Sequence, residues 1–349
     1  MAHIVILRFS AIGDVLMTVP VINALAHQYP KLHITVVSRP WARPIFALLP
    51  SNVSFMPVDF KHEYKGFRGL NDLCRRIFAL QPSAVADLHD VLRTKWIRFR
   101  FHICLSHTRV AHIQKNRRAR RNFVTASVKE PQQPVFEKYA DVFARLGLPV
   151  QIDNRPFSLI NSHTALSAIP RFNAAIRPET HWVGIAPFAA HQGKIYPLPK
   201  MEQVVASLSR RKDIRIFLFG GGQQEADILQ AWALKYPRTE SMAGVLDNMG
   251  QELALISQLR VMVSMDSANM HLAALAGTPV ISIWGATHPF GGFLGWGQQM
   301  NDVIHLPELS CRPCSTYGNT PCSKGDYPCL QGILPEVILR HIERHLPQL

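Results

Sequence analysis

Two aspartates occupy positions from which a carboxylate can do chemistry. Asp14 follows the apolar run 4–7 and Asp266 follows the apolar run 261–263, and a helical pattern begins after each aspartate. In open α/β sheets such turns lie at the carboxyl edge of the strands, where ligands bind. A carboxylate there can accept a proton from an attacking hydroxyl or hydrogen-bond to a sugar. The simpler alternative for both residues is a helix N-cap.

The first turn also carries small residues that leave room for a substrate. Ser10 and Gly13 stand beside Asp14 and permit close approach of a bound molecule. We therefore interpret Asp14 as a candidate general base and these two neighbours as candidate substrate contacts.

The second turn is suited to an anion. Ser267 and Ala268 are small enough to let a phosphate reach the unpaired amides and the positive dipole end of the following helix. Asp266 can then hold sugar hydroxyls, and His271 can face the phosphate. The alternative for His271 is a buried core histidine.

Two further residues follow predicted strands of the second half. Lys194 can neutralise a leaving diphosphate as negative charge develops. Its alternative is a solvated loop lysine. Glu225, just after the glycines at 220–222, can accept ribose hydroxyls, as acidic residues do in dinucleotide folds.

Strands and helices alternate through both halves of the 349 residues, which predicts parallel sheets with right-handed crossovers. The chain is long enough for two cores. The stretch 150–180 lacks strong periodicity and contains three prolines, so it is interpreted as a linker between domains.

Charge is concentrated in one segment of this basic chain, whose formal net charge is +14. The range 91–129 holds eleven Lys and Arg and no Asp or Glu, and aromatic residues interleave with its first cations. A solvated loop, a nucleic-acid surface and an anionic membrane surface all fit this composition. No secretory signal and no membrane-spanning run is visible, which predicts a cytoplasmic protein.

Several motifs together resemble a known family. The run 8–15 (RFSAIGDV) is similar to the N-terminal signature of the lipopolysaccharide heptosyltransferases, glycosyltransferase family 9. The run 266–274 (DSANMHLAA), continued by 277–280 and 284–287, resembles their C-terminal signature. Asp87-Leu88-His89 with Arg93, and Tyr139 with 146–148, fit the same family between them.

The resemblance implies an α/β fold of the GT-B type, with two Rossmann-like domains whose parallel sheets face a central cleft. The expected acceptor-binding domain is 1–165, the linker 166–180 and the nucleotide-sugar-binding domain 181–330. The helix within 331–349 is expected to pack back on the first domain. The implied reaction is an inverting transfer of heptose from ADP-heptose to the lipid A–core acceptor of lipopolysaccharide, at the cytoplasmic face of the bacterial inner membrane.

The resemblance also implies roles for individual residues, with no metal or other cofactor. Asp14 is the base, and Lys194 stabilises the diphosphate together with the helix amides and His271. The donor contacts are Glu225, Met249, Asp266, Ser267, Ala268 and His271, with Met249 near the adenine. The acceptor contacts are Ser10, Gly13, Arg93, Arg117, Arg118 and Arg120, the basic ones also meeting anionic membrane.

The chain departs from the family at the presumed donor site. Ser267-Ala268 replace the usual Thr-Gly pair, and Ala189-Ala190 stand where hydroxyl residues are common. A family 9 transferase that uses another nucleotide sugar therefore stays an alternative.

Four of the six cysteines form a cluster in sequence that could bind zinc: Cys311, Cys314, Cys322 and Cys329. The favoured interpretation is a structural loop of the family. Combined with the basic segment, zinc would instead favour a nucleic-acid-binding protein, although that hypothesis leaves both aspartate turns unused and no nucleic acid is expected. A nicotinamide oxidoreductase is disfavoured because the first turn lacks a G-x-G-x-x-G pattern.

Overall fold

The computed structural model describes residues 2–104, 107–153, 158–159 and 180–347. The chain divides into two compact units. Unit 1 comprises Met1–Asn116 with Gln133–Asn154, and unit 2 comprises Arg117–Gln132 with Arg155–Leu349. Among the described residues, no helix has the length and apolar character needed to cross a membrane.

Unit 1 is built on a five-stranded parallel sheet in the order β3-β2-β1-β4-β5. Its strands are β1 (His3–Leu7), β2 (His33–Ser38), β3 (Val53–Pro57), β4 (Ala84–Asp87) and β5 (Arg109–His112). Its helices are α1 (Ile12–Leu16), α2 (Val19–Gln28), α3 (Arg43–Phe46), α4 (Gly66–Phe78), α5 (Leu92–Cys104) and α7 (Val135–Arg145). The central strands are apolar and buried because helices cover both faces of the sheet.

Unit 2 repeats this topology with one more strand, in the order β11-β10-β9-β6-β7-β8. The strands are β6 (His181–Ala186), β7 (Ile214–Leu218), β8 (Thr239–Ser241), β9 (Val261–Met265), β10 (Val280–Ile283) and β11 (Val303–Ile304). The helices are α6 (Arg117–Thr125), α8 (Leu198–Leu208), α9 (Gln223–Lys235), α10 (Met249–Ile256), α11 (Ala268–Leu275), α12 (Pro328–Gln331) and α13 (Pro335–Glu343).

In both units the strand order reverses beside the unit's first strand. The reversal falls between β1 and β4 in unit 1 and between β6 and β9 in unit 2. Loops that leave the carboxyl ends of two such strands diverge and open a crevice, which is where α/β sheets bind ligands. Each unit therefore has one favoured binding edge.

The sequence-based prediction placed the residues of helix α6 in a continuous first domain, 1–165. In the structure this helix belongs to unit 2, because its residues pack there. The Phe123 ring lies edge-on to His288, with centroids 5.9 Å apart, and the amide of Gln132 donates to the carbonyl of Phe290 at 2.8 Å. The arginines of α6 consequently belong to unit 2.

Helix α13 contributes Ile338 and Ile342 to the apolar core of unit 2, where it contacts α8. That it also packs on the first domain stays a prediction. Most of the predicted linker, 166–179, lies outside the described residues. That the two sheets face a central cleft likewise stays a prediction.

Candidate active site

The binding edge of unit 1 holds an ion pair between Arg8 and Asp14. Arg8 immediately follows β1, and its Nη2 lies 2.7 Å from Asp14 Oδ2. The same guanidinium is buried and donates through Nη1 to the carbonyl of Leu88, which follows β4, at 2.6 Å. Asp14 is not the N-cap of α1, which is Ala11, although Oδ2 accepts the Ala11 amide at 3.3 Å. The two strands next to the reversal point thus fix the carboxylate together.

A serine–histidine pair lies on the same edge. Ser10 Oγ and His89 Nε2 are 3.2 Å apart, and His89 is buried. Burial, reinforced by the charges of Arg8 and Lys115, lowers the pKa of His89 to about 3. The imidazole is therefore neutral near pH 7, beside the carboxylate of Asp14.

The loop that carries His89 is held by a buried carboxylate. Asp87 Oδ1 accepts the amides of His89 and Asp90, each at 2.9 Å. Arg98 of α5 lies 3.1 Å from Asp87 Oδ2 and 2.9 Å from Asp90 Oδ1. These contacts fix the turn after β4 against helix α5.

The binding edge of unit 2 brings together Lys194 and Asp266, two residues 72 positions apart in sequence. Lys194 Nζ lies 2.9 Å from Asp266 Oδ2, and Thr287 Oγ1 donates to the same oxygen at 2.7 Å. Gly318 covers the lysine stem, since a Cβ there would lie 2.7 Å from Lys194 Cγ. The ion pair with Asp266 and the close approach of Gly318 thereby restrict both the position and the direction of the Lys194 side chain.

Helix α11 begins directly after Asp266. Its N-cap is Ser267, whose hydroxyl lies 3.2 Å from that of Ser264 and makes no capping bond to the helix. The first amides of α11, from Ala268 onward, thus lack a side-chain cap, the condition under which a helix start can receive an anion. His271 is buried within this helix.

A buried arginine organises the loop that presents Thr287. Arg312 donates to the carbonyls of Gly285 at 2.8 Å, Trp284 at 3.2 Å and Thr287 at 2.6 Å. Burial lowers the pKa of Arg312 to about 10, so its guanidinium stays charged at neutral pH. One cation therefore satisfies three carbonyls of the loop that carries Thr287.

Two further predicted donor contacts, Glu225 and Met249, belong to unit 2. Glu225 Oε2 accepts the amide of Gly221 at 2.7 Å, within the turn after β7. Met249 is the first residue of α10, and Asn248 caps that helix by accepting the Gly250 amide at 2.9 Å. Their roles toward ribose and adenine stay predictions.

The predicted basic acceptor residues fall in both units. Arg93 of α5 stacks over the Phe60 ring at 4.7 Å in unit 1. In unit 2, Arg117 and Arg118 are exposed on α6. Arg120 instead donates to the Tyr317 hydroxyl at 2.5 Å.

The zinc hypothesis concerns Cys311, Cys314, Cys322 and Cys329, and it stays an untested alternative. Within the part of the chain that the structure describes, no three His, Cys, Asp or Glu side chains are placed to hold a metal ion. Cys329 is buried, and burial raises the pKa of its thiol to about 11. Burial and the nearby thiols of Cys322 and Cys311 raise the pKa of Cys314, so the cysteines of this loop lie near one another as well as near Arg312.

Sequence reasoning missed four residues at these edges. Arg8, His89 and Thr287 stand inside the family-like motifs but received no role, because the spacing of residues does not show which side chains meet. Arg312 had no signal beyond its place between two cysteines.

Comparison with known proteins gives a consistent result. The model of glycosyltransferase family 9 (heptosyltransferase) matches residues 83–322. The lipopolysaccharide core heptosyltransferase OpsX of Haemophilus influenzae is 23% identical over 303 residues, covering 81% of this chain and 79% of that protein.

Two solved structures share the fold over 99% of this chain. One is the family 9 glycosyltransferase of Veillonella parvula, with a TM-score of 0.74, 19% identity and 97% coverage of that chain. The other is the ADP-heptose lipopolysaccharide heptosyltransferase II of E. coli, with a TM-score of 0.70, 19% identity and 98% coverage. The predicted class of two parallel-sheet α/β domains, the GT-B type, is confirmed. On the family match, the chain belongs to glycosyltransferase family 9, the heptosyltransferase family.

Proposed function

We propose that this enzyme transfers heptose from ADP-heptose to a hydroxyl of the inner core of lipopolysaccharide, with inversion at the anomeric carbon. The observation that carries the proposal is the Lys194–Asp266–Thr287 group at the start of α11. The names of the H. influenzae and E. coli relatives support the donor and the acceptor class.

Unit 2 has the groups that a nucleotide diphosphate sugar requires. An ammonium group has three N–H donors, and Lys194 directs one at Asp266, which leaves two for phosphate oxygens. The uncapped amides of α11 add further donors beside it. Both contacts to Asp266 use Oδ2, so we assign Oδ1 to the hydroxyls of the donor sugar.

Unit 1 has a carboxylate prepared for proton transfer. Arg8 and the Ala11 amide both engage Asp14 Oδ2, so we assign Oδ1 to the acceptor hydroxyl. The buried guanidinium fixes the direction of Oδ1, which supports a general base rather than a simple cap.

The proposed step is a single displacement. The acceptor oxygen forms a bond to the anomeric carbon while the bond from that carbon to the β-phosphate oxygen breaks. The hydroxyl proton passes to Asp14, and the bonding electron pair leaves with ADP. Lys194 and the α11 amides stabilise the charge that develops on the diphosphate.

We further propose that the enzyme works at the cytoplasmic face of the inner membrane. Its acceptor is anchored there by lipid A, and the segment 93–121 supplies cations that can meet anionic headgroups or phosphorylated saccharide.

The test is mass spectrometry of a lipid A–core acceptor after incubation with the protein and a panel of nucleotide sugars. We expect a mass gain of one heptose with ADP-heptose alone. A gain with a different sugar would overturn the donor but keep the chemistry. No gain with any donor would overturn the proposal.

A further inference from the structure

Helix α5 has two apolar faces, although a helix on the surface of a sheet needs only one. Its inner face buries Ile97 and Phe101 in the core of unit 1. The outer face carries Leu92, Phe99 and Ile103, of which Leu92 is 86% and Ile103 64% exposed. These three, with Trp96 between them, follow the spacing that places side chains on one side of a helix.

Helix α4 widens this apolar strip. Phe67 is 60% exposed, and its ring lies 4.7 Å from that of Trp96. Trp96 and Phe99 are 5.6 Å apart, and the Trp96 indole N–H donates to Asn71 Oδ1 at 3.0 Å. The strip runs along a helix of 13 residues, about 20 Å in length.

Cations border the strip on both sides. At 100° per residue, Arg93 and Arg100 fall on one flank and Lys95 on the other. No Asp or Glu occurs in 91–129, and two carboxylates next to the strip are ion-paired. Asp72 of α4 pairs with Arg75 at 2.9 Å, and Asp90 pairs with Arg98 at 2.9 Å and lies 4.0 Å from Lys95 Nζ. An apolar stripe between cationic borders is the pattern of a helix that lies in the headgroup region of an anionic bilayer.

We propose that the outer face of α5, together with Phe67, docks this enzyme onto a bilayer of anionic phospholipid. The inference rests on the membrane association proposed above and assigns it to this face rather than to the arginines of α6. A second copy of the chain is a poorer occupant, because two such faces would bring their cationic borders together.

The experiment is sedimentation with sucrose-loaded vesicles, without donor or acceptor. The vesicles contain phosphatidylglycerol with phosphatidylethanolamine, or phosphatidylcholine alone. We expect binding to the anionic vesicles that weakens with salt. The double variant Leu92→Ser/Ile103→Ser should lose about tenfold or more in affinity, because two aliphatic side chains no longer enter the interface.

The matched control is Leu234→Ser, at an 80% exposed leucine of α9, which should bind like the wild type. Lys95→Gln should weaken binding about fivefold, the effect of one interfacial cation, whereas Lys212→Gln should not. Circular dichroism melting curves establish that each variant folds.

Three outcomes would overturn the proposal. The first is no binding of the wild-type protein to anionic vesicles. The second is retained binding in the double variant with loss on charge reversal at Arg117, Arg118 and Arg121, which would move the contact to α6. The third is a dimer in sedimentation velocity that the double variant dissociates, without vesicle binding. Transfer to a soluble, delipidated acceptor tests the proposed reaction separately and should be unchanged in the double variant.

Discussion

The binding edges of the two units hold an aspartate in different ways. Each places an aspartate after a strand beside the reversal point and holds its Oδ2 with a single cation, Arg8 for Asp14 and Lys194 for Asp266. In unit 1 the cation is the buried member, whereas the Asp14 side chain is 26% exposed. In unit 2 the Asp266 side chain is 7% exposed and shares its oxygen with Thr287.

This difference fits different tasks. A carboxylate that must take a proton needs access to its substrate, and a fixed arginine behind it sets its direction. A carboxylate that must hold a sugar can be buried, provided that its charge is paired. In the proposed function, Lys194 then directs its other N–H donors at phosphate. The comparison predicts that loss of Asp14 affects turnover and that loss of the Asp266 partners also affects the donor.

The largest effect is expected for Asp14→Asn. It keeps the shape of the side chain but removes the proposed base, so turnover should fall about 10²–10⁴-fold. Donor affinity, measured by calorimetry with ADP, should stay near that of the wild type. Wild-type turnover in the variant would reduce Asp14 to a structural residue of α1 and end the contrast between the two aspartates.

Lys194→Ala should lower turnover about 10²–10³-fold, the cost of one preorganised contact to developing charge. Lys212→Ala, at an exposed lysine of the same unit, is the control. Steady-state kinetics with saturating acceptor provide the measurement. If Lys194→Ala loses no more turnover than Lys212→Ala, Lys194 has no role in the mechanism.

Thr287→Val tests the contacts that hold Asp266, the more buried of the two aspartates. It removes one hydrogen bond to the Asp266 carboxylate while keeping the volume, and we expect the KM for the donor to rise about tenfold. The KM for the acceptor should change little. An equal rise in both would contradict a role confined to donor binding.

The smallest effect concerns acid stability in unit 1. The pKa of His89 is lowered from 6.5 to about 3. Below pH 6.5, His89 therefore binds a proton in the unfolded chain but stays neutral in the folded chain. The free energy of unfolding therefore falls as the pH decreases from about 6.5 toward 3. Between pH 7 and pH 5 this contributes about 2 kcal/mol.

His89→Gln removes this titration, so its Tm should fall less than that of the wild type over the same pH interval. His102→Gln, at an exposed histidine of α5, should behave like the wild type. If the Tm of wild type and of His89→Gln falls equally over this pH interval, the burial of His89 does not cause the loss of stability.

Much of the fold follows from local patterns. The apolar runs that become β1, β4, β6 and β9 are short, are bounded by turns and alternate with helical segments, which predicts parallel sheets without any tertiary information. Asp14, Lys194 and Asp266 could be chosen because each stands just after such a run. The order of the strands was beyond this reasoning, since it depends on which runs pair.

The division of the basic segment between the two units could not be predicted from its composition. Charge counts along 91–129 do not distinguish the flanks of α5, which border an apolar strip, from α6, which contacts His288 and Tyr317 of unit 2. The packing of Phe123 on His288, 165 positions later in the chain, decides the location of α6.

The sequence by itself determined the class of the fold, the two aspartate turns and the family, because strand periodicity and short motifs are local properties. Only the tertiary structure decided that Arg8 holds Asp14, that Thr287 joins Lys194 on one oxygen of Asp266, and that α5 carries a second apolar face. Each of these depends on the path of a turn in space, on which distant segments meet at a sheet edge, or on which side of a helix is left uncovered. Those are results of packing, not of spacing along the chain.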